Sequence, residues 1–170
     1  MTPPSSASIA LIDPKSPSNV GAVMRAAGCY GVTQVRYTGV RFARAAKYHT
    51  DTHNISSQIP LLHVDDILSP LAPPMSIVCV ELAEGASLLP HFEHPDNALY
   101  VFGPEDGSIP QAVINRADSV VYIPTEGCMN LAATVNVVLY DRLSKMAPSG
   151  YKDNCIIRSR DTNNRLVVQE

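Results

Sequence analysis

The loop Phe102–Pro110, FGPEDGSIP, follows an apolar run and gathers glycines, prolines and two acids within nine residues. Glycine reaches positive φ and proline pre-sets a turn, so a strand-ending turn accounts for both. Such a turn has no need of the carboxylate of Glu105. Two other loops also hold side chains able to do chemistry. Pro17–Arg25 carries Asn19 and Arg25, and Pro124–Leu131 carries Cys128 and Asn130. The patterns of several other chemistries are missing. There is no GxGxxG, no glycine-rich turn ahead of Lys-Ser or Lys-Thr, and no GxSxG, which sets aside dinucleotide, kinase-like and serine-hydrolase sites. The cysteines Cys29, Cys79, Cys128 and Cys155 are widely separated, with no CxxC, so neither a zinc site nor a disulfide framework is expected. His49, His53 and His63 read as surface or packing residues, and no metal is implied.

These loops need elements to hold them. Short β-branched runs at Ser8–Asp13, Thr33–Thr38, Met75–Leu82, Ala98–Phe102 and Ser119–Ile123 read as strands, several apolar throughout, as parallel strands covered on both faces are. Helical patterns alternate with them. Ser18–Cys29 opens on Ser18 and Asn19, both good N-caps, and stops near Gly28 and Gly31. Asp65 or Asp66 caps a short helix ahead of the proline-rich Ser69–Pro74, and Pro110–Arg116 forms another. In Leu131–Met146, the spacing of Leu131, Val135, Val138 and Leu139 makes one buried stripe. Strand and helix alternation predicts an α/β domain with a mostly parallel sheet flanked by helices. Ligands of such sheets sit beyond the carboxyl ends of the strands, where the three loops fall. No internal repeat or linker divides the chain. Residues 1–147 form the predicted domain and residues 148–170 a polar tail.

At 170 residues, 45% hydrophobic and 17% charged, the chain has an ordinary soluble composition. No apolar stretch approaches the ~18 residues of a membrane span, and the amino terminus lacks the pattern of a secretory signal. The expected location is cytoplasmic, with no membrane partner. The net charge of −3 conceals a segregation of charge. Lys15–Thr50 holds six lysines or arginines and no acid, whereas Asp51–Asp141 holds twelve acids against Arg116 alone. Such sorting either forms ordinary solvated faces or supplies a basic surface for a polyanion, built from Arg25, Arg36, Arg41, Arg44 and Lys47.

Three stretches, SNVGAVMRAAGCYG, LYVFGPEDGSIP and VYIPTEGCMNLAATVNVVLYD, resemble the three motifs of the SpoU (TrmH) group of SPOUT-superfamily RNA ribose 2′-O-methyltransferases, in family order and spanning Ile9 to about Met146. In length the chain is similar to the short single-domain enzymes that act on the tRNA wobble position. The resemblance implies an α/β knot fold with a deep carboxyl-terminal trefoil knot, which the topology rules for ordinary sheets do not anticipate. It also implies a homodimer, and S-adenosylmethionine held in bent form by the knot loops. By position, the cofactor pocket uses Glu81, Leu82, Gly103, Ile123, Cys128, Met129 and Leu131.

The same resemblance makes Asn19, Arg25, Glu105 and Asn130 the polar active-site set. A guanidinium stays protonated, so Arg25 is expected to orient an RNA phosphate and steady a developing alkoxide, with Glu105 holding Arg25 or Asn19 in place. Gly21, one turn before Arg25, either leaves room there or permits close helix packing. Asn19 and Asn130 can each cap a helix as well as face the acceptor. The chain departs from the family at Cys128, where CMN stands in place of S-L-N or S-M-N; a thiol is the weaker hydrogen-bond donor. The first strand starts by Ser8, which leaves no separate RNA-binding domain ahead of it, so the dimer surface itself is expected to grip RNA. A tRNA stem-loop suits that surface, and an rRNA hairpin is the alternative substrate. Two further alternatives are a catalytically weak cofactor-binding RNA-binding protein on the same fold, and an unrelated binding protein for an anionic metabolite.

Overall fold

The computed structural model describes residues 5–46, 59–71, 74–146, 156 and 160–168. Among these residues seven strands form one sheet: β1 (Ser6–Leu11), β2 (Val35–Tyr37), β3 (Leu61–His63), β4 (Ser76–Val80), β5 (Ser87–Leu88), β6 (Asn97–Phe102) and β7 (Ser119–Tyr122). Their order is β3-β2-β1-β6-β4-β7-β5. Every neighbouring pair is parallel. The helices are α1 (Pro17–Cys29), α2 (Arg41–Ala46), α3 (Gln111–Ile114) and α4 (Leu131–Met146).

Alternation along the central strands explains why they read as apolar throughout. Ile9 and Leu11 of β1, Val78 and Val80 of β4, and Tyr100 and Phe102 of β6 face one core, shared with α1 and α4. Ala10, Cys79, Leu99 and Val101 face the other, which Ile67, Leu68 and Ile109 complete and Val113 and Ile114 of α3 flank. Each side chain points opposite to its neighbour, so a parallel strand covered on both sides has no polar face. The stripe predicted on α4 is the one buried: Leu131, Val135, Val138 and Leu139 all lie in the first core.

The strand and helix boundaries differ from expectation in several places. Ser16 is the N-cap of α1, accepting from the Asn19 amide, and Pro17 fills the first turn. Ser18 and Asn19 therefore lie inside the helix, and the Asn19 side chain is released for another contact. Asp65 and Asp66 start no helix; the Asp66 carboxylate accepts from Leu68 N at 3.0 Å and holds a turn instead. The edge strands β3 and β5 and the short helix α2 were not anticipated.

At the amino ends of β1 and β6, Arg142 of α4 is buried and donates to the carbonyls of Pro95 (2.6 Å) and Asp96 (2.7 Å). Beside it His94 is enclosed, with Nδ1 2.6 Å from the Tyr100 hydroxyl and Nε2 2.8 Å from Asp141 Oδ2. These contacts fix the far end of α4 against the sheet. Its near end, at Leu131, is thereby held over the carboxyl ends of the strands.

Candidate active site

Beyond the carboxyl ends of β4, β6 and β7, and against the start of α4, lies a cleft of about 250 Å³. All seven residues predicted for the cofactor, Glu81, Leu82, Gly103, Ile123, Cys128, Met129 and Leu131, border it, as does Glu105. Its wall mixes apolar and polar groups, with Val80, Phe102 and Tyr122 at the strand ends. Among the described residues, Glu81 and Glu105 are the charged side chains that line it, and no lysine or arginine does. Such a lining suits a cation with a flat apolar portion and disfavours a phosphate.

The loop after β6 approaches the cleft by way of Gly103. A Cβ at that position would crowd Ile109 N at 3.1 Å and Ile109 Cγ1 at 3.3 Å, so this tight turn favours glycine. Glu81 supports the same turn from β4. One of its oxygens accepts from Ile109 N at 2.9 Å and the other from Leu82 N at 2.9 Å. This bracing of one predicted pocket loop by another has no signature in the sequence.

Glu105, Asn19 and Asn130 converge in a hydrogen-bonded chain. Glu105 Oε2 accepts from Lys15 N at 2.9 Å, and Oε1 accepts from Ser16 N at 3.1 Å and from Asn19 Nδ2 at 2.9 Å. Asn130 Nδ2 donates to Asn19 Oδ1 at 2.9 Å, and Asn130 Oδ1 accepts from Ala132 N at 2.8 Å, capping α4. An ionised carboxylate only accepts, so Asn19 must turn its NH₂ to Glu105 and its oxygen to Asn130. Each amide then keeps one N–H unspent. Partial burial pushes the Glu105 carboxyl up, but the bonds from Asn19, Lys15 and Ser16 outweigh it and leave the group below its ordinary value. Glu105 is thus a fixed anion that orients Asn19.

Arg25 is not joined to this chain. It is exposed and, among the described residues, makes no hydrogen bond or ion pair. Six residues beyond Asn19 on α1, it sits about 9 Å farther along the axis and points elsewhere around it. Of the two partners considered for Glu105, the structure supplies Asn19. A Cβ at Gly21 would meet nothing within 4 Å among the described residues, so the space beside Arg25 is open and no close helix packing there requires glycine.

The basic segment divides. Arg36 is corrected from a surface contact to a buried support: it is 4% exposed, and its Nη1 donates to the carbonyls of Ser69 (2.7 Å) and Ile67 (3.3 Å). It lies within a strand covered on both faces, where a side chain cannot reach a polyanion. Arg41 is drawn into contacts with Asp13 and Asp106. Arg44 is exposed, and Lys47 lies outside the described residues, as do His49, His53 and Cys155. Cys128 and Cys29 are exposed, whereas burial pushes the Cys79 thiol up to about 12. Among the described residues, no three His, Cys, Asp or Glu side chains gather to hold a metal ion. No helix among them is long and apolar enough to cross a membrane.

Comparison with known proteins agrees with this geometry. The family model described as SpoU rRNA Methylase family matches residues 6–140. No curated protein matches the sequence. Among solved structures, one concerned with 2-OH methylation of C/U34 on tRNA is 22% identical with a TM-score of 0.72, the match covering 87% of this chain and 95% of that one. A TrmH/SpoU tRNA modifying enzyme from A. aeolicus is 17% identical with a TM-score of 0.71, over 83% of this chain and 75% of that one. An AdoMet-bound rRNA methyltransferase from Sinorhizobium meliloti is 18% identical with a TM-score of 0.69, over 85% of this chain. The present chain spans 58% of the Sinorhizobium protein's length.

Proposed function

The chain belongs to the SpoU rRNA Methylase family, and on that premise we propose that it is an S-adenosylmethionine-dependent methyltransferase acting on a ribose 2′-hydroxyl of RNA, most simply a tRNA. The observation that carries the reading is the Glu105–Asn19–Asn130 chain, set at the edge of a cleft lined, among the described residues, by two carboxylates and no cationic side chain. S-adenosylmethionine supplies an electrophilic methyl group on a sulfonium. Its positive charge and adenine ring match the acidic, partly apolar lining, with Glu81, Leu82, Gly103, Ile123, Met129 and Leu131 as the residues that would hold it. Cys128 also lines the cleft, with a thiol in place of the family's hydroxyl.

The chain's own residues bring the acceptor into line. Asn19 and Asn130, each with an unspent N–H and a fixed orientation, hold the ribose hydroxyl and its neighbours at the mouth of the cleft. Positioning of this kind supplies much of the rate in a displacement whose partners must be collinear. Arg25, beyond the open space at Gly21, takes a neighbouring phosphate of the RNA backbone and so orients the strand. Arg44, exposed on α2, offers a further cation to the RNA backbone.

The proposal includes a homodimer, a trefoil knot around the cleft loops and an intracellular, RNA-bearing compartment. The dimer is supported by an exposed apolar stretch on α4, where Val137 is 38% and Tyr140 62% exposed. A two-fold contact would use this face on both copies. Sedimentation should give a dimer that Tyr140→Glu splits into monomers; a monomeric wild type refutes that part.

The function itself is tested by calorimetry with S-adenosylmethionine, followed by tritium-methyl transfer to bulk tRNA and rRNA from a strain lacking this gene. Binding with incorporation at a ribose supports the proposal, and binding without incorporation into any RNA leaves only a cofactor-dependent RNA-binding protein. Absence of binding refutes it.

A further inference from the structure

We propose that Arg41, drawn from the basic segment, is a positioning residue that locks the Glu105 loop onto the end of β1, and does not act by contacting RNA. Its Nη1 lies 2.9 Å from both oxygens of Asp106, the residue next to Glu105. Its Nη2 donates to the Asp13 carbonyl at 2.5 Å. The Nε stands 2.9 Å from Asp13 Oδ2, yet its N–H does not aim at that oxygen and has no hydrogen-bond partner, so this third contact is Coulombic. One guanidinium therefore ties the turn after β1 to the turn after β6. Lys15 Nζ, 3.6 Å from Asp106, adds a looser and more screened attraction.

The backbone around the clamp is built to present these partners. Asp13 holds a left-handed conformation with φ 41°, uncommon for a residue with a side chain. Gly39 has φ +78°, and a Cβ there would fall 2.0 Å from Asp13 Oδ1, so the approach of Asp13 requires glycine. The Arg41 hydrogen bond also holds the Asp106 carboxyl below the usual carboxylate range.

The consequence lies one residue away. Glu105 accepts from Lys15 N, Ser16 N and Asn19 Nδ2, which all belong to the segment leading from β1 into α1. Arg41 spans the same two segments beside it, so the clamp fixes the separation across which Glu105 orients Asn19. A planar guanidinium that donates from Nη1 to Asp106 and from Nη2 to the Asp13 carbonyl does this better than a point charge, and lysine is a poor substitute. A phosphate contact, by contrast, would require Arg41 to leave both acids.

The inference rests on the proposed methyl transfer, and the sign of one variant separates the two roles. Asp106→Ala releases Arg41 from the turn after β6 while removing a negative charge, leaving its contacts with Asp13. If Arg41 positions Glu105, Asp106→Ala and Arg41→Ala each lower kcat about tenfold, leave the KM for RNA and the Kd for S-adenosylmethionine within about twofold, and together lower it no further. Arg41→Lys does not restore the rate. If Arg41 contacts RNA, Arg41→Ala raises the KM for RNA and flattens its salt dependence, while Asp106→Ala tightens RNA binding and keeps kcat; that result overturns the inference. Amide exchange of residues 103–109 provides an arm independent of activity. It should speed up about tenfold in both variants, a figure expected for the loss of one charge-assisted contact, and unchanged exchange in a folded Asp106→Ala protein refutes the clamp. Were the wild type to methylate no RNA, the function reading would fail while the exchange result still judged the clamp.

Discussion

Asn130 donates to Asn19 at 2.9 Å across 111 residues of sequence, joining the start of α4 to the first turn of α1. Because Asn19 in turn donates to Glu105, both amides are held in one orientation.

That coupling predicts strong non-additivity. Asn19→Ala and Asn130→Ala should each lower kcat about 100-fold, the usual scale for one preorganised hydrogen-bonding group. The double variant should lose little more, since either single change already breaks the chain. Losses that multiply in steady-state methyl transfer would show the two amides acting independently.

Glu105→Gln tests the fixed anion. The three donors facing the carboxylate would meet one carbonyl and an NH₂, so stability should fall by about 1–2 kcal/mol, read from chemical denaturation. The folded-state Glu105 carboxyl lies below its ordinary value. Its contribution is therefore present above the ordinary carboxylate range and lost as pH falls through the folded value. Between pH ~6 and ~9 the group does not titrate, so the pH profile of kcat should keep its shape in the variant. A limb that vanishes from this window on substitution would make Glu105 a proton carrier instead.

How far such a site can be read in advance varies with the kind of signal. The α4 stripe was legible because four apolar residues at helical spacing admit one buried face, and Leu131 to Leu139 bury it. The cleft residues were legible through motif resemblance, and they border one cavity. The edge strands Leu61–His63 and Ser87–Leu88 were not, since two or three residues carry no period. Arg36 was misread because a charge count along the chain cannot register burial, which depends on strands β1 and β3 pairing either side of it. Glu81 and Arg41 act through backbone and long-range contacts, for which sequence spacing has no signature.

The separation of Arg36 from Arg25 is itself testable. Arg36→Met should leave the Ser69 and Ile67 carbonyls without their donor and cost about 2–4 kcal/mol, with no change in the salt dependence of RNA binding. Arg25→Ala should leave the melting temperature within about 2 °C, as surface changes do, and reduce the salt slope by about one. Reversed outcomes in thermal melting and in RNA binding against salt would restore Arg36 to the surface.

His94 makes the packing of α4 sensitive to acid. Burial lowers its pKa, with the Asp141 contacts opposing and Lys145 and Arg142 reinforcing the shift. The neutral ring satisfies the network: Nε2–H donates to Asp141 and Nδ1 accepts from the Tyr100 hydroxyl. At pH 7 and above the ring is neutral folded or unfolded, and no penalty applies. Below about 6.5 the unfolded chain takes up a proton that the folded chain resists, so stability falls with pH until the folded ring titrates. Melting temperature should drop between pH 7 and 5.5, and His94→Gln should flatten that drop. An unaltered slope would assign the acid sensitivity to other groups.

The most direct test of the account is transfer of a tritiated methyl group from S-adenosylmethionine to tRNA of a strain lacking this gene, comparing wild type with the Asn19→Ala, Asn130→Ala double variant. The account predicts label on a ribose 2′-oxygen with the wild type and at least ~100-fold slower labelling with the variant, while both bind S-adenosylmethionine equally. Equal labelling by the two proteins would contradict it, as would label on a base.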